Sequence, residues 1–516
     1  MERRIDMNRQ KIVQDLLENP DKLLMKKPFY REVEVRTPSL TGAVDVGGKV
    51  SVKLPSIRFV AVDQSQYLQE LNVNCHKVLT DSNIPSVCVK TQNNGFYEIE
   101  EVRIALPYQE TIRDKHVLHL CANKMEHTLL ESNPSEQDSK DFATIKKMWE
   151  LRNMEGIKTQ MVCQQKSVGD AGTLFYYDYR GELHARILSF PEYTIITHKD
   201  DNGDHCLECV YYSNNNDQYI DCYDDTYMYR ITTKEVEGAT HTDGWYHLPP
   251  VPHGFSECPL VTKRGDVAWN KVQTPIEMYE TLYNVFYVIQ KRHGWGILYV
   301  KGKFKDTSKK IAGSVILNDT SMNENSDAKF LSAPSPEGTI NTLESLFNEI
   351  QIGGGATILL PKDIKASGDI SGIAIQMTQS RDIETALQGV TEWQNVANKM
   401  MRLFKEGIGK ELVNSGEDST AYTRFMKLPI YSKFRIWRPF SASEYNQMLA
   451  TLKGAGLLSV RTGIERNTES APDELARVNT EEEIKFQTEL RHTEETKKME
   501  AKFANNNATT ISNKKE

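Results

Sequence analysis

The sequence predicts an α+β fold, and three stretches of the chain support this prediction. Residues 172–233 hold short aromatic-rich runs separated by turn residues, which is typical of an antiparallel sheet. Residues 381–412 carry apolar side chains at helical spacing, which predicts one long helix. Two further amphipathic helices are expected at 275–292 and 337–352, on either side of a strand-like segment.

Length and charge limit the possible functions. The chain has 516 residues, of which 39% are hydrophobic and 26% charged, so we expect three or four structural units with real cores. Its 63 Lys and Arg against 71 Asp and Glu give a net charge of −8. This charge excludes a protein held to nucleic acid by bulk charge alone, because phosphates would repel it. Any contact with DNA has to be local, transient or mechanical.

The N-terminal residues 1–27 predict a short amphipathic helix, with Ile12, Leu16 and Leu17 on one side. The run is charged from its second residue, which does not fit a signal peptide. No stretch approaches the roughly 18 to 20 apolar residues of a membrane helix. We therefore expect no membrane partner and synthesis on the cytoplasmic side.

Between residues 28 and 233 the chain mixes both element types. Residues 49–53 and 57–62 look like strands, and residues 141–156 look like one helix. In the region 172–233, base stacking on the many tyrosines is possible, but cross-strand packing is the favoured interpretation. These tyrosines are Tyr211, Tyr212, Tyr219, Tyr223, Tyr227 and Tyr229.

The eight cysteines are scattered, which does not fit a disulfide scaffold. Cys206 and Cys209, beside His205 and followed by Cys222, are the one group that could suggest zinc. A zinc site needs its Cys-x-x-Cys on a tight turn together with a second pair. Here the segment looks like a strand, on which residues three apart point to opposite faces. We therefore interpret these residues as buried structural thiols and expect no metal or other cofactor.

The second half of the chain is dominated by helices. Pro275 lies where the first turn of a helix accepts proline. After the helix 337–352, residues 353–368 form an apolar segment framed by glycines, which predicts a mobile loop. The long helix 381–412 carries an apolar stripe of seven residues: Ile383, Leu387, Val390, Val396, Met400, Leu403 and Phe404.

Towards the C-terminus, strands are expected at 422–428 and 433–437. Ser441-x-x-Glu444 matches a capping box and predicts the start of another helix. Residues 473–500 are either a solvated helix or a flexible tail. From Asn505 onward we expect disorder.

The motifs of catalysis are missing from the sequence. Gly353-Gly354-Gly355 is followed by no Gly-Lys-Ser/Thr, so it is not a phosphate-binding loop. The acidic pairs at 200–201 and 224–225 could hold a metal for nuclease chemistry, but turn acids are the favoured interpretation. His253 lies between proline and glycine and is interpreted as a turn residue. We therefore predict that the protein is not an enzyme, with no catalytic residues.

One local charge cluster is present in residues 291–310. This segment contains seven cations and the single acid Asp306, which gives it a net charge of +6 inside a chain whose net charge is −8. It is either a solvated loop or a patch that meets phosphates or an acidic partner. Its cations are Lys291, Arg292, Lys301, Lys303, Lys305, Lys309 and Lys310.

The order of elements resembles the portal proteins of tailed double-stranded DNA bacteriophages, in the branch of the long-tailed phages. The runs 174–182 and 223–229, and His253-Gly-Phe before Pro259-Leu-Val, match this order. Ser371-Gly-Ile-Ala-Ile is similar to the family's Ser-Gly-hydrophobic-Ala element. Residues 457–465 and 472–477 resemble its C-terminal signature. The resemblance covers about 140–480, whereas residues 28–140 match it poorly.

The resemblance implies a ring, of twelve subunits in that family, with wing, stem, small α/β clip and helical crown. Its parts fall as follows: an N-terminal helix at 1–27, the first part of the wing at 28–260, stem helix 1 at 261–293, the clip at 294–335, stem helix 2 at 336–352, a tunnel loop at 353–370, the long helix and returning wing strands at 371–440, the crown at 441–500 and a disordered tail at 501–516.

The same resemblance implies a function and a set of partners. The ring would lie at one capsid vertex of the virion, pass double-stranded DNA during packaging and ejection, and nucleate capsid assembly. Its partners would be the terminase large subunit, a head–tail connector, and the major capsid and scaffolding proteins, with assembly in the host bacterial cytoplasm. The tunnel loop would present these residues to DNA: Thr357, Ile358, Leu359, Leu360, Lys362 and Lys365.

Two alternatives belong to other classes. A metal-dependent DNA-processing enzyme of mobile-element origin would use acids such as Asp200 or Asp224. A virion adaptor or scaffold that forms no ring would bind through its aromatic sheet.

A net-acidic wall suits a conduit, because phosphate-binding walls would resist the sliding of DNA.

Overall fold

The computed structural model divides into two compact units, one of residues Met1–Pro361 and Thr378–Arg438 and one of Lys362–Met377 and Pro439–Glu516. The residues that it describes are 2–25, 31–36, 43–44, 50–51, 57–62, 64–82, 84, 87–90, 96–99, 103–131, 134–200, 203, 205–293, 297–301, 310–311, 314–315, 327–331, 336–358, 378–438, 442–460, 463–464 and 474–512.

The described helices lie in both units. They are α1 Glu2–Glu18, α2 Pro20–Met25, α3 Gln64–Leu71, α4 Tyr108–Cys121, α5 Glu136–Leu151, α6 Met154–Val168, α7 Gln273–His293, α8 Glu337–Gly354, α9 Ser380–Asn414, α10 Ala421–Lys427, α11 Ala442–Gly454 and α12 Glu474–Ser512.

The described strands all lie in the first unit. They are β1 Arg31–Arg36, β2 Ala43–Val44, β3 Val50–Ser51, β4 Ile57–Val62, β5 Val87–Lys90, β6 Phe96–Ile99, β7 Glu126–Leu129, β8 Asp170–Tyr177, β9 Leu183–Leu188, β10 Tyr193–Lys199, β11 His205–Asn214, β12 Asp217–Tyr223, β13 Tyr227–Thr232, β14 Thr240–Thr242, β15 Trp245–His247, β16 Val251–Pro252, β17 Leu260–Arg264, β18 Ile297–Lys301, β19 Lys310–Ile311, β20 Ser314–Val315, β21 Asp327–Leu331 and β22 Ile430–Lys433.

Two antiparallel sheets form the β region of the first unit. The larger has the order β10-β11-β12-β13-β15-β14, with β16 also paired to β13, and the smaller has the order β17-β8-β9. The remaining strands pair two by two, and β7 pairs with β22, which lies far along the chain. Helices and antiparallel sheets therefore occur together, which confirms the predicted α+β class.

The main core of the first unit lies between α9 and the helices α4, α5, α6 and α10. Trp149 and Phe404 meet there edge to face, with ring centroids 5.0 Å apart. The N-terminal helices α1 and α2 cover one face of the larger sheet, where Val13 and Leu23 are buried. Ile12, Leu16 and Leu17 pack against the same cluster, as the amphipathic pattern predicts.

The helices predicted at 275–292, 337–352 and 381–412 are confirmed as α7, α8 and α9. The apolar stripe of α9 is confirmed over its second half, where Val396, Met400 and Phe404 are buried. The assignment of Leu387 to this stripe is wrong, because its side chain is 48% exposed. The buried row of the first turns runs through Ala386, Gly389 and Trp393 instead.

Several other predictions of secondary structure are wrong. The strand expected at 422–428 is the helix α10, whose buried Ala421 and Phe425 are four residues apart and face α9. Of the strand expected at 433–437, only Lys433 belongs to β22. The single helix expected at 141–156 is two helices, because the chain turns at Asn153, which has a φ of 52°. The region 172–233 contains two sheets rather than one.

The second unit, described by itself, contains α11 and α12. The start of α11 at Ala442 agrees with the capping box predicted at Ser441. Residues 477–499 of α12 are exposed almost throughout, so the structure favours the solvated helix over the flexible tail. Disorder is predicted from Asn505, whereas α12 continues to Ser512.

Candidate functional site

The candidate site is the base of the loop that joins α8 to α9. Helix α8 ends with Gly353 and Gly354, and it is capped by Gly355, whose φ is +58°. An alanine Cβ at Gly355 would lie 2.4 Å from the Thr385 hydroxyl oxygen on α9. A glycine is therefore required here both by the left-handed backbone and by the close approach of α9.

Asp382, in the first turn of α9, holds the chain where it leaves α8. Its Oδ1 accepts hydrogen bonds from the backbone N–H and the hydroxyl of Thr357, both at 2.8 Å. The Thr357 hydroxyl also lies 3.4 Å from the carbonyl oxygen of Thr378. The Gln351 side chain accepts from the Ile358 N–H at 2.7 Å. The two ends of the segment 359–377 are thus tied side by side.

His119 on α4 lies behind Asp382 and connects it to a third stretch of chain. Its Nε2 is 3.5 Å from Asp382 Oδ2, and both side chains are only 1% exposed. Its Nδ1 lies 3.2 Å from the carbonyl oxygen of Trp437, whose N–H donates to the His119 carbonyl at 2.7 Å. Since a carbonyl only accepts, Nδ1 carries a proton. Neither His119 Nε2 nor Asp382 Oδ2 has a hydrogen-bond partner among the described residues.

A cleft of about 450 Å³ opens beside this base, and we call it the basic cleft. Six Lys and Arg side chains line it against three acids, Asp266, Asp382 and Glu392. The six cations are Lys115, Lys166, Lys263, Arg264, Lys271 and Arg381.

His116 also lines the basic cleft. Its Nε2 lies 2.7 Å from the Gly354 carbonyl oxygen at the end of α8. Burial, with a further effect of the nearby Lys166 charge, lowers the pKa of His116 to about 4. His116 is therefore neutral at pH 7 and adds no positive charge to the cleft.

The structure places two of the six residues predicted to face DNA. Thr357 and Ile358 lie at the base, where their backbone N–H groups are fixed by Asp382 and Gln351. Leu359, Leu360, Lys362 and Lys365 lie outside the described residues. Of the glycines predicted to frame this loop, Gly353 and Gly354 belong to the last turn of α8 and Gly355 is its cap.

The predicted basic patch falls largely outside the described residues. Lys291 and Arg292 lie in the last turn of α7, and Lys301 and Lys310 lie in β18 and β19. Lys303, Lys305 and Lys309 lie outside the described residues.

The cysteine segment is a strand, as predicted, and its thiols are buried. Cys206, Cys209 and Cys222 belong to one apolar cluster under the larger sheet. The ladder between β10 and β11 is irregular at Cys206, since His198 pairs with Leu207 and Lys199 with His205. Burial raises the pKa of the Cys209 thiol, and a thiolate is the form that binds zinc. Packing in the core is what the geometry supports.

The turn acids serve the local backbone. Asp224 accepts hydrogen bonds from the N–H groups of Thr226 and Tyr227, both at 2.6 Å. His253 bridges the Asp224 carbonyl and the Phe255 N–H, as expected of a turn residue. In the described part of the chain, the one group with metal-ligand spacing is Asp178, Glu182 and His184. It includes none of the acids predicted for nuclease chemistry.

The tyrosines of the larger sheet pack across strands, as predicted. Tyr212 and Tyr219 are direct partners of β11 and β12, and their rings stack with centroids 5.1 Å apart. Tyr211 and Tyr229 pack against the apolar cluster beneath the N-terminal helices. These contacts agree with cross-strand packing.

The sequence does not predict the basic cleft. Its cations come from α4, α6, β17, the turn before α7 and the start of α9, and no two neighbouring positions except 263–264 contribute. A local charge count, which points to residues 291–310, cannot detect such a set. Only the fold brings these side chains together.

No helix in the described ranges combines the length and the apolar character that crossing a membrane requires.

Two comparisons with known proteins bear on the family. The sequence profile of the family described as phage portal protein, SPP1 Gp6-like, matches residues 61–500. A comparison with curated protein sequences finds no match. The family match extends past the resemblance at 140–480 into the N-terminal region, where the resemblance is poor. With most of its length matched, the chain belongs to the SPP1 Gp6-like family of phage portal proteins.

Proposed function

We propose that the protein assembles into a dodecameric ring at one vertex of the phage capsid and forms the channel for genome packaging and ejection. The observation that carries this proposal is the family match over residues 61–500. The order α7, β18–β21, α8, a loop tied at its base, and then α9 agrees with the stem, clip and tunnel loop that the family resemblance implies.

The stem assignment rests on how α7 and α8 pack. Tyr279 of α7 meets Phe347 of α8 with ring centroids 6.4 Å apart, and Tyr108 contacts both rings. The helices also leave apolar side chains exposed, among them Met278 at 55% and Ile352 at 65%. A head-to-tail interface repeated around an axis would cover such side chains and close into a ring.

The remaining parts follow the family order. Residues 28–260 with the segment 371–440 would form the wing, 261–293 and 336–352 the stem, 294–335 the clip and 441–500 the crown. The loop 353–370 would face DNA. This is supported by the position of Thr357 and Thr378, which lie together beside Asp382, so the chain between them would start and end at one place.

The charge distribution suits a conduit. Twelve copies of −8 amount to −96 for the ring, so DNA would be repelled by most of its surface. The positive segment 291–310 would meet the terminase, the connector or entering DNA. The family is structural rather than enzymatic, and the proposed role needs no cofactor.

Electron microscopy of the purified full-length chain tests this proposal. We expect rings with a central hole, and a mass by light scattering that is a large multiple of the 58.9 kDa chain. A monodisperse monomer at high concentration and moderate salt would contradict it.

The clip assignment has a separate test. Changing Lys301, Lys303 and Lys305 together to glutamine should weaken terminase docking and DNA packaging while ring formation continues. A control variant with Lys140, Lys146 and Lys147 changed to glutamine makes the same change of net charge on α5. Packaging that falls equally in both variants would contradict a specific role of the clip lysines.

A further inference from the structure

We propose that the basic cleft binds a phosphate group at the base of the loop between α8 and α9. The lining residues that the structure describes belong to the first unit, and their charged side chains come from five places in the chain. The same described residues belong neither to the segment 291–310 nor to the loop residues 359–377.

Three of the six cations are uncommitted. Lys263 donates to the Glu392 carbonyl, Arg264 is paired with Asp170 at 3.0 Å, and Arg381 with Glu384 at 3.1 Å. In the part of the chain that the structure describes, no hydrogen bond or ion pair engages the ammonium groups of the other three. These are Lys115 of α4, Lys166 of α6 and Lys271 of the turn before α7.

Lys166 is the most enclosed of the three. Burial lowers the pKa of its ammonium group, and Lys263 nearby lowers it further, while Glu392 and Asp266 act in the opposite direction. Holding an ammonium group in this place costs free energy unless an anion compensates it. A bound anion would supply that compensation.

The wall of the cleft contains buried polar atoms without partners, which is an independent observation. His119 Nε2, His116 Nδ1 and Asp382 Oδ2 are buried and make no hydrogen bond among the described residues. The residues that carry them all line the cleft. His119 Nδ1 and His116 Nε2 lie on carbonyl oxygens, so in neutral rings all three unpaired atoms are acceptors. They point to a donor such as a bound water at the wall, while the lysines would hold the anion.

The chemistry favours phosphate among anions. Three lysines on three separate elements can surround a compact group that offers several oxygens and more than one negative charge. A single carboxylate would satisfy only one or two of them. The volume of about 450 Å³ accommodates a phosphate together with part of the molecule that carries it.

The phosphate could come from two sources. One is the backbone of double-stranded DNA, and this case rests on the proposed function as a DNA channel. The other is a free phosphate compound, such as inorganic phosphate or a nucleotide. The lysines are the same in both cases, so one set of variants separates the sources.

The test uses the full-length protein and three probes: inorganic phosphate, a nucleoside triphosphate and a short DNA duplex. Binding is measured by calorimetry over a series of salt concentrations. The variant has Lys115, Lys166 and Lys271 changed to glutamine. A control variant has the exposed Lys140, Lys234 and Lys427 changed in the same way. Because Lys166 is enclosed, a second variant changes only Lys115 and Lys271.

For the probe that the cleft binds, we expect at least tenfold weaker affinity in the triple variant and less than twofold in the control. For the duplex, the slope of log K against log salt should become shallower by about 0.9 for each DNA phosphate that the variant no longer neutralises. A tenfold loss only for the small probes assigns the cleft to free phosphate compounds. Equal losses in variant and control, or none for any probe, would overturn the proposal.

Electron microscopy of the same samples separates this inference from the proposed function. If the protein forms rings and the triple variant binds all three probes as tightly as the wild type, only the phosphate site would be overturned. If the wild-type protein forms no rings, but its phosphate binding is lost in the triple variant, only the portal ring would be overturned.

Discussion

His119 and Asp382 face each other at 3.5 Å, fully enclosed, where three distant stretches of the first unit meet. Asp382 holds Thr357, and His119 holds Trp437, near the last residue of that unit. The pair thus connects the base of the loop to the chain that leads out of the first unit. Both atoms that face each other lack a hydrogen-bond partner among the described residues, so each can still accept a hydrogen bond from a neighbouring donor.

Removing the Asp382 carboxylate should loosen the base of the loop. In Asp382→Ala, the N–H and hydroxyl of Thr357 lose their shared acceptor, which should cost about 2 kcal/mol. In Asp382→Asn, an oxygen remains for Thr357 and an N–H becomes available to His119, so we expect less than half of that loss. Hydrogen exchange at the Thr357 amide measures both.

Glu384→Ala is the matched control for this pair of variants. Glu384 lies on the same helix and has an exposed ion pair with Arg381. We expect no faster exchange at Thr357 in this variant. Equal exchange in Asp382→Ala and Glu384→Ala would show that Asp382 does not hold the loop base.

Gly355→Ala should destabilise the same place from the side of α8. The substitution puts a Cβ at positive φ and against the Thr385 hydroxyl, which should cost about 1 to 3 kcal/mol. Gly338→Ala, in the first turn of α8 with open space around it, should instead stabilise by about 0.5 to 1 kcal/mol. Urea unfolding measures the change in the free energy of unfolding for both variants. A Gly355→Ala variant as stable as the wild type would contradict the requirement for glycine.

The sequence predicts the long elements well because their periodicity is strong. Helix α9 is expected at 381–412 and lies at Ser380–Asn414, since its apolar residues repeat over many turns. Helix α10 is wrongly predicted as a strand because its seven residues hold only two buried positions, Ala421 and Phe425. So short a pattern fits both the helical and the strand period, and the packing against α9 determines that the segment is a helix.

The site could be predicted only in outline. The glycines at 353–355 mark the start of a loop, and the structure places them where α8 ends. The anchors, however, lie far along the chain, since Asp382 and His119 become neighbours only through the crossing of α9 and α4. The lysines of the basic cleft are likewise far apart in the sequence, so a local pattern cannot reveal them.

Acid should destabilise the first unit through buried neutral histidines such as His127. Burial lowers the pKa of His127 from 6.5 to about 4, because its ring packs on Trp149 and Nε2 has no partner among the described residues. His127 is therefore protonated near pH 6.5 in the unfolded chain, but only near pH 4 in the folded chain. Folding stability should fall across this window, by about 2 kcal/mol for this residue between pH 7 and pH 5.

The variant His127→Gln isolates this effect. It should lose stability at pH 7, where it gives up packing on Trp149, but its stability should depend less on pH than that of the wild type. His241→Gln, at an exposed position, serves as the control and should keep the wild-type slope. Urea unfolding at pH 7 and pH 5 gives the comparison, and an unchanged slope in His127→Gln would contradict the assignment.

Two glutamates one turn apart on α7 should differ sharply in their contribution to stability. Glu280 is buried and accepts from the Leu106 N–H and pairs with His76 Nδ1, both at 2.7 Å. Glu277 pairs with Lys77, whose side chain is 64% exposed. Glu280→Ala leaves the buried His76 Nδ1 and a backbone N–H unpaired, which should cost about 3 to 5 kcal/mol. Glu277→Ala breaks an exposed pair and should cost less than about 1 kcal/mol. Urea unfolding and exchange at the Leu106 amide measure the difference, and similar losses in the two variants would show that other interactions hold α7 to the segment before α4.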